Sequence, residues 1–243
     1  MNRLPNTSIF VIPLQRWHKF VFCAALAGFL SMFACGGGNV PGSNSTSSGF
    51  QQTNLVSDSA GNAAHTDPFL LNPWGVAFQP GQSFWIADNN RSSAKVFDSS
   101  GNADMPLAVG IPPVSGSAAP STPTGIVFNP IAQDFLVRGT PAQFLVATED
   151  GTISTWSAIN GNLPTNAILA RDDSASGAVY KGLAILTPQC CREYLPLANF
   201  SQGFVATYDV GFNLLGTSGS FKDSNLPLGH ANSTFSRSAP KYL

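Results

Sequence analysis

Charge is scarce in this chain: only 10% of its 243 residues are Asp, Glu, Lys or Arg, 12 of them basic and 13 acidic. Arg3, Arg16 and Lys19 belong to the leader, so nine basic residues face all thirteen acidic ones in the remainder, a net near −4. A nucleic-acid partner needs a basic face, and this composition does not supply one. Cysteine is also sparse. Cys23 and Cys35 fall in the leader, and Cys190-Cys191 are neighbours, a spacing that strains a mutual disulfide. They lack the CxxC spacing and histidine partners of a zinc site, so they read as a local irregularity. No serine sits in a nucleophile elbow and no HExxH occurs. The one long apolar run, Phe20 to Phe33, is too short for a stable membrane span, and helix signals are nearly absent beyond the leader.

Turn residues, by contrast, are abundant, with 23 glycines and 18 prolines. Between them a unit recurs roughly every fifty residues. Trp74-Gly75-Val76-Ala77-Phe78 leads into Phe84-Trp85-Ile86-Ala87-Asp88-Asn89 and Lys95-Val96-Phe97-Asp98. Thr124-Gly125-Ile126-Val127-Phe128 leads likewise into Phe144-Leu145-Val146-Ala147-Thr148 and Thr155-Trp156. The third copy runs Lys181-Gly182-Leu183-Ala184-Ile185, Leu197-Ala198-Asn199 and Thr207-Tyr208-Asp209. Repeats of this period mark solenoids, propellers or arrays.

Within each unit, short β-branched and aromatic runs alternate with turns. The first predicts strands over Gly75–Phe78, Ser83–Ala87, Ala94–Phe97 and Leu107–Ile111, ended by Pro112-Pro113. The second predicts Gly125–Phe128, a strand within Phe144–Thr148, Thr152–Trp156 and Ala167–Ala170, with Glu149-Asp150-Gly151 as a hairpin turn. The third runs from Lys181 to about Thr217, with Pro188 to Glu193 as an irregular insertion. Four strands per unit is the propeller count. The reading is therefore all-β: a partial β-propeller of about three four-stranded blades. A β-sandwich is the alternative, but its strands do not usually recur as near copies.

The ends carry their own messages. Residues 1–35 form a signal peptide with a basic start and an apolar stretch. It closes on Met32-Phe33-Ala34-Cys35-Gly36, which resembles a bacterial lipobox with Met32 where leucine is usual. Lipidation of Cys35 would anchor the chain firmly, each buried methylene adding about 0.8 kcal/mol. An ordinary signal peptide with an incidental cysteine is the plainer reading. Residues 36–52 are a flexible Gly/Ser-rich tether, 53–227 the partial propeller, and 228–243 an aberrant tail without strand alternation. The expectation is a truncated chain, stopped early after a frameshift. Three blades cannot close a ring of roughly four to eight. The open edge therefore predicts instability or self-association.

Asn54-Leu55-Val56-Ser57-Asp58, Ala64-His65-Thr66-Asp67-Pro68 and Leu71-Asn72-Pro73-Trp74-Gly75 resemble one family, as do Thr122 to Asn129, Ala147 to Ile153 and Ser174 to Leu183. The family is an uncharacterised bacterial group of exported propellers, some with PEP-CTERM sorting tails; more distantly the blades resemble NHL repeats. The resemblance covers roughly residues 53–227 and implies a longer, closed propeller of six blades. It implies no reaction.

Candidate chemistry sits at the turns. Asp88, Asn89, Glu149 and Asp150 occupy equivalent turns of successive blades, where oxygen-bearing side chains gather on one face and could hold Ca²⁺. Propellers similar to gluconolactonases use such a calcium for hydrolysis. The simpler reading is that Asp and Asn hydrogen-bond their own backbone in tight turns. His65 and Asp67 are a possible acid–base pair, or a turn-capping histidine and its neighbour. Lys181 lines the channel or is a solvated strand end. Trp74, Trp85 and Trp156 recur with the strands, which predicts inter-blade core rather than a sugar-binding platform.

These readings converge on an exported lipoprotein, cell-envelope, periplasmic or secreted, acting as a binding module for an unknown protein or small ligand. A Ca²⁺-dependent, lactonase-like hydrolase and a fragment without function are the alternatives.

Overall fold

The computed structural model describes residues 51–104, 108–188 and 192–216, together with the backbone pairing of residues 8–10. Apart from that pairing, the expected signal peptide with Cys35, the expected tether up to residue 50, Leu107, Cys190-Cys191 and the residues after 216 lie outside the described residues.

The elements are β1 (Ser8–Phe10), β2 (Asn54–Ser57), β3 (His65–Thr66), β4 (Pro73–Phe78), β5 (Phe84–Asp88), β6 (Ser93–Phe97), β7 (Val109–Gly110) and β8 (Pro123–Phe128). They continue as β9 (Leu136–Val137), β10 (Thr140–Pro141), β11 (Phe144–Thr148), β12 (Thr152–Trp156), β13 (Ile168–Asp172), β14 (Tyr180–Leu183), β15 (Leu195–Asn199), β16 (Phe204–Tyr208) and β17 (Leu214–Gly216). Two single 3-10 turns, Asn89–Arg91 and Ser174–Ser176, are the helical pieces among the described residues. Three four-stranded antiparallel sheets hold the repeats: β4-β5-β6-β7, β8-β11-β12-β13 and β14-β15-β16-β17. Each is a meander whose first strand is an edge. This is the three-bladed, open propeller arrangement that the repeats predict.

Blade packing follows from alternation along the strands. Ala77, Trp85, Ala87, Ala94 and Val96 of the first blade meet Ile126, Phe144, Val146 and Trp156 of the second. The centre of this interface is aromatic: Trp85 stacks on Phe144 at 4.3 Å between centroids and lies 4.5 Å from Trp156. On its other face the second blade turns Leu145, Ala147 and Ile153 to Leu183, Leu195, Leu197, Ala206 and Tyr208 of the third. Val56 and Leu70 cover Ile86 and Phe97 on the outer flank of the first blade. Burying side chains of this size contributes about 2–3 kcal/mol each.

Glycine sets how closely the first strands approach. A Cβ on Gly75 would lie 2.6 Å from the Thr124 carbonyl oxygen, and one on Gly125 would lie 2.9 Å from the Leu183 nitrogen. The recurrent glycine is thus a contact between blades.

Two expectations are corrected. Trp85 and Trp156 are interface core, but Trp74 is 44% exposed, because Gly75 and Ala77 take the face of β4 that meets the second blade. The β9–β10 hairpin, inserted between β8 and β11, was also unforeseen. Its two-residue strands are too short for any alternation to register.

Candidate functional site

The three first strands share an irregularity. In β4–β5, Pro73 pairs with Asp88 and Val76 with Ile86, so one extra residue lies between those rungs on β4. The same shift occurs in β8 between Pro123 and Ile126, and in β14 between Tyr180 and Gly182. A bulge re-aims the side chain it carries. Here it presents the residue before each glycine, Trp74, Thr124 and Lys181, at one cleft of about 510 Å³ where the three blades meet. Val76, Ile126, Leu183 and Phe200 complete most of the wall.

Lys181 is the cation of this cleft. Its ammonium lies 4.7 Å from the Trp74 ring centroid and 5.7 Å from that of Phe200, within cation–π reach of both. It also forms an ion pair with Glu149. Burial pulls the Lys181 ammonium down from its ordinary pKa. The second Glu149 oxygen accepts a hydrogen bond from Asn89 Nδ2 at 3.2 Å, and that amide also donates to the Pro123 carbonyl at 3.1 Å. Asn89, Glu149 and Lys181, one from each blade, thus form a continuous polar line beside the cleft. Thr124 Oγ1 donates to the Tyr180 carbonyl at 2.7 Å, joining the second blade to the third.

The other predicted site residues go elsewhere. Asp150 accepts from the Thr122 backbone N–H at 2.7 Å and its hydroxyl at 3.0 Å, fixing the approach to β8. Asp88 is fully buried; its Oδ1 accepts from the Leu71 N–H at 2.9 Å, while Oδ2 has no hydrogen-bond partner. Burial pushes its carboxyl up to about 6, against the lowering effect of the Leu71 hydrogen bond and of Lys95 and Arg91. Among the described residues no group of three or more His, Cys, Asp or Glu side chains converges as a metal-binding set. Asp88 and Asp150 accept from backbone N–H groups, as turn residues do, whereas Asn89 and Glu149 bond each other across two blades.

Among the described residues, the side chains of His65 and Asp67 make no hydrogen bond or ion pair with each other. The Asp67 carboxylate is held by Lys95 at 2.6 Å and by the Phe69 N–H at 2.9 Å. His65 sits in β3, beside Val56 of β2.

Among the cleft residues, sequence reasoning missed Phe200 and assigned Trp74 to the inter-blade core. For Trp74 a signal existed: it precedes the repeat glycine, as Thr124 and Lys181 do. Phe200 follows β15 in a turn and carries no such register.

No family model matches this chain. Two uncharacterised proteins of Acanthamoeba polyphaga mimivirus are similar to it. R648 is 32% identical over 164 residues, 66% of this chain and 39% of the viral one. L690 is 32% identical over 166 residues, 66% of this chain and 41% of the viral one. The chain thus spans about two fifths of the length of these relatives. Among solved structures, the N-terminal part of BBS1 in complex with ARL6 is similar at 14% identity and a TM-score of 0.37, covering 56% of this chain and 37% of that one. The PQQ-bound aldose sugar dehydrogenase of Streptomyces coelicolor is similar at 14% identity and a TM-score of 0.33, covering 67% of this chain and 49% of that one.

Proposed function

We propose that the chain is an exported β-propeller binding module, held at the cell envelope by a lipid on Cys35, with a small ligand in the cleft between its blades. One observation carries the ligand assignment: Lys181 lies between two exposed aromatic rings, Trp74 and Phe200, on a concave wall built from all three blades. Apolar concave sites with a few convergent polar groups are the usual form of a small-molecule site. Lys181 is already paired with Glu149. The suited ligand is therefore a flat organic anion that stacks on Trp74 and takes over the Lys181 ammonium from that carboxylate.

The test uses saturation-transfer NMR with benzoate and naphthoate, and benzyl alcohol as the neutral comparison. The two anions should bind, and Trp74→Ala or Lys181→Ala should abolish the transfer while Leu163→Ala leaves it. Equal transfer in Trp74→Ala defeats the assignment.

The envelope part rests on the leader and on the cysteine after Ala34. Metabolic labelling with an azido-palmitate analogue should mark the chain, and Cys35→Ser should remove the mark. An unlabelled chain in the culture medium would replace the anchor with simple secretion. The hydrolase reading draws no comparable support, since Asp88 and Asp150 are engaged by backbone donors.

A further inference from the structure

The connection between β12 and β13 carries a feature that neither blade packing nor the cleft explains. Asn160-Gly161 is the single Asn-Gly step in the sequence. It supplies the two central residues of a tight turn, whose flanks Ile159 and Asn162 exchange both backbone hydrogen bonds at 2.9 Å. Asn160 has a φ of +49° and Gly161 one of +80°, the left-handed pair that selects this dipeptide in such turns. Those two hydrogen bonds involve only the flanks. Among the described residues, the Gly161 N–H therefore has no acceptor and the Asn160 amide no partner. Both residues are exposed, and a Cβ on Gly161 would meet nothing within 4 Å.

These are the conditions under which a side-chain amide is lost to attack by its own backbone. We propose that Asn160 is a self-modifying site, converted to aspartate and isoaspartate with water as the co-reactant. The Gly161 nitrogen, having given up its proton, bonds to Asn160 Cγ and closes a succinimide ring. The Cγ–Nδ2 bond breaks, and ammonia leaves with that proton. Water then opens the ring. Cleaving the new N–Cγ bond leaves aspartate, whereas cleaving the original backbone C–N bond leaves isoaspartate, whose main chain runs through Cβ and Cγ. Nothing is oxidised or reduced. Glycine matters at the attacking position because no side chain shields its nitrogen and its backbone turns freely into the geometry the ring needs. The neighbouring asparagines lack this: Asn162 precedes Leu163, and Asn166 precedes Ala167 and bonds Thr165 at 3.3 Å. The product adds a negative charge to the second blade, and isoaspartate lengthens the turn by one backbone atom, which breaks the pairing of Ile159 with Asn162. Ile159, Trp156 and Pro164 line a cavity of about 100 Å³, so the change loosens the chain that covers it.

The test is to age the folded full chain in buffer, then digest it with trypsin and sequence the peptides by mass spectrometry. Cleavage after Arg138 and Arg171 puts Asn160, Asn162 and Asn166 on one peptide. Asn160 should lose its amide ahead of the other two. The loss should quicken by about tenfold for each unit of rising pH, as the deprotonated fraction of the attacking amide does. An isoaspartyl carboxyl methyltransferase supplied with labelled S-adenosylmethionine should mark the aged chain. Asn160→Gln, whose longer side chain closes its ring far more slowly, should lose that mark. Circular dichroism of the fresh variant should match the parent, because the position is exposed. Equal amide loss at Asn162 or Asn166, loss at Asn160 only after unfolding in urea, or an Asn160→Gln chain marked as strongly as the parent would overturn the assignment. Asn160 lies outside the cleft wall, so this result and the naphthoate result stand or fall separately.

Discussion

The hydroxyls of Tyr180 and Tyr208 lie 2.7 Å apart, and both reach the same oxygen, Oδ2 of Asp173, at 2.9 and 2.8 Å. Arg171 closes the group from the other side, 2.6 Å from Asp173 Oδ1. The network ties the loop after β13 to the first and third strands of the third blade. It is polar yet buried, a combination in which every missing partner is costly.

Burial is the main force on both phenols. It pushes Tyr208 up to about 12, with hydrogen bonds to Tyr180 and Asp173 acting in opposite senses, and it raises Tyr180 further. A raised acid pKa means the folded chain keeps a proton that the unfolded chain loses. Stability should therefore fall as pH rises from about 10 towards 12. Tyr208→Phe should flatten that fall. It should also cost about 1–2 kcal/mol at neutral pH, since Tyr180 and Asp173 each lose a partner. Denaturant melts at neutral and alkaline pH check both parts.

Asp88 gives the acid-side counterpart. Its carboxyl is raised from 3.8 to about 6 by burial. Between those values the folded state holds a proton that the unfolded state has released, so stability should drop as pH rises from 4 to 6 and then level off. Asp88→Asn keeps an acceptor for the Leu71 N–H and removes the buried charge. It should abolish the slope and leave the variant as stable as the parent, or more so by about 2 kcal/mol, at neutral pH. Thermal melts across that window decide it; an unchanged slope would acquit Asp88.

Much of this architecture could be read in advance, for a physical reason. Strands such as Phe144–Thr148 and Thr152–Trp156 are bounded by Glu149-Asp150-Gly151, and Gly151 takes a φ of +78° that the turn requires. Local chemistry of this kind is written in adjacent residues. Trp74 was misplaced because it recurs with the core residues Trp85 and Trp156, whereas it alternates along β4 with the exposed Val76 and Phe78, on the face opposite Ala77. The Glu149–Lys181 pair spans 32 residues and two blades. The packing of β8 and β11 against β14 brings its ends together, and no spacing rule encodes that.

The repeat glycines offer a steric test. On Gly75 the added methyl meets backbone at 2.6 Å from the Thr124 oxygen and 2.8 Å from the Ile126 nitrogen. Neither neighbour can rotate away as a side chain end would. Gly75→Ala and Gly125→Ala should each cost about 2–3 kcal/mol by forcing the blades apart. Urea titrations should show a lower midpoint in both. A midpoint shift no larger than that of an exposed substitution such as Leu163→Ala would show that the blades are not in close contact there.

The Asn89–Glu149–Lys181 line separates two roles for the lysine. If Lys181 serves chiefly to hold the blades together, its worth lies in the pair with Glu149. Both side chains are partly solvated, so a double-mutant cycle with Glu149→Gln and Lys181→Met should give a coupling of only about 1 kcal/mol. Salt should reduce it, because water reaches the pair. Glu149→Gln should at the same time raise the affinity for naphthoate, since the carboxylate that competes for Lys181 is gone. A purely structural ion pair predicts the opposite combination: loss of stability with no change in anion binding. Measuring stability and naphthoate affinity on the same four proteins distinguishes the two, because the ligand role requires Glu149 to be a competitor and the structural role requires it to be a partner.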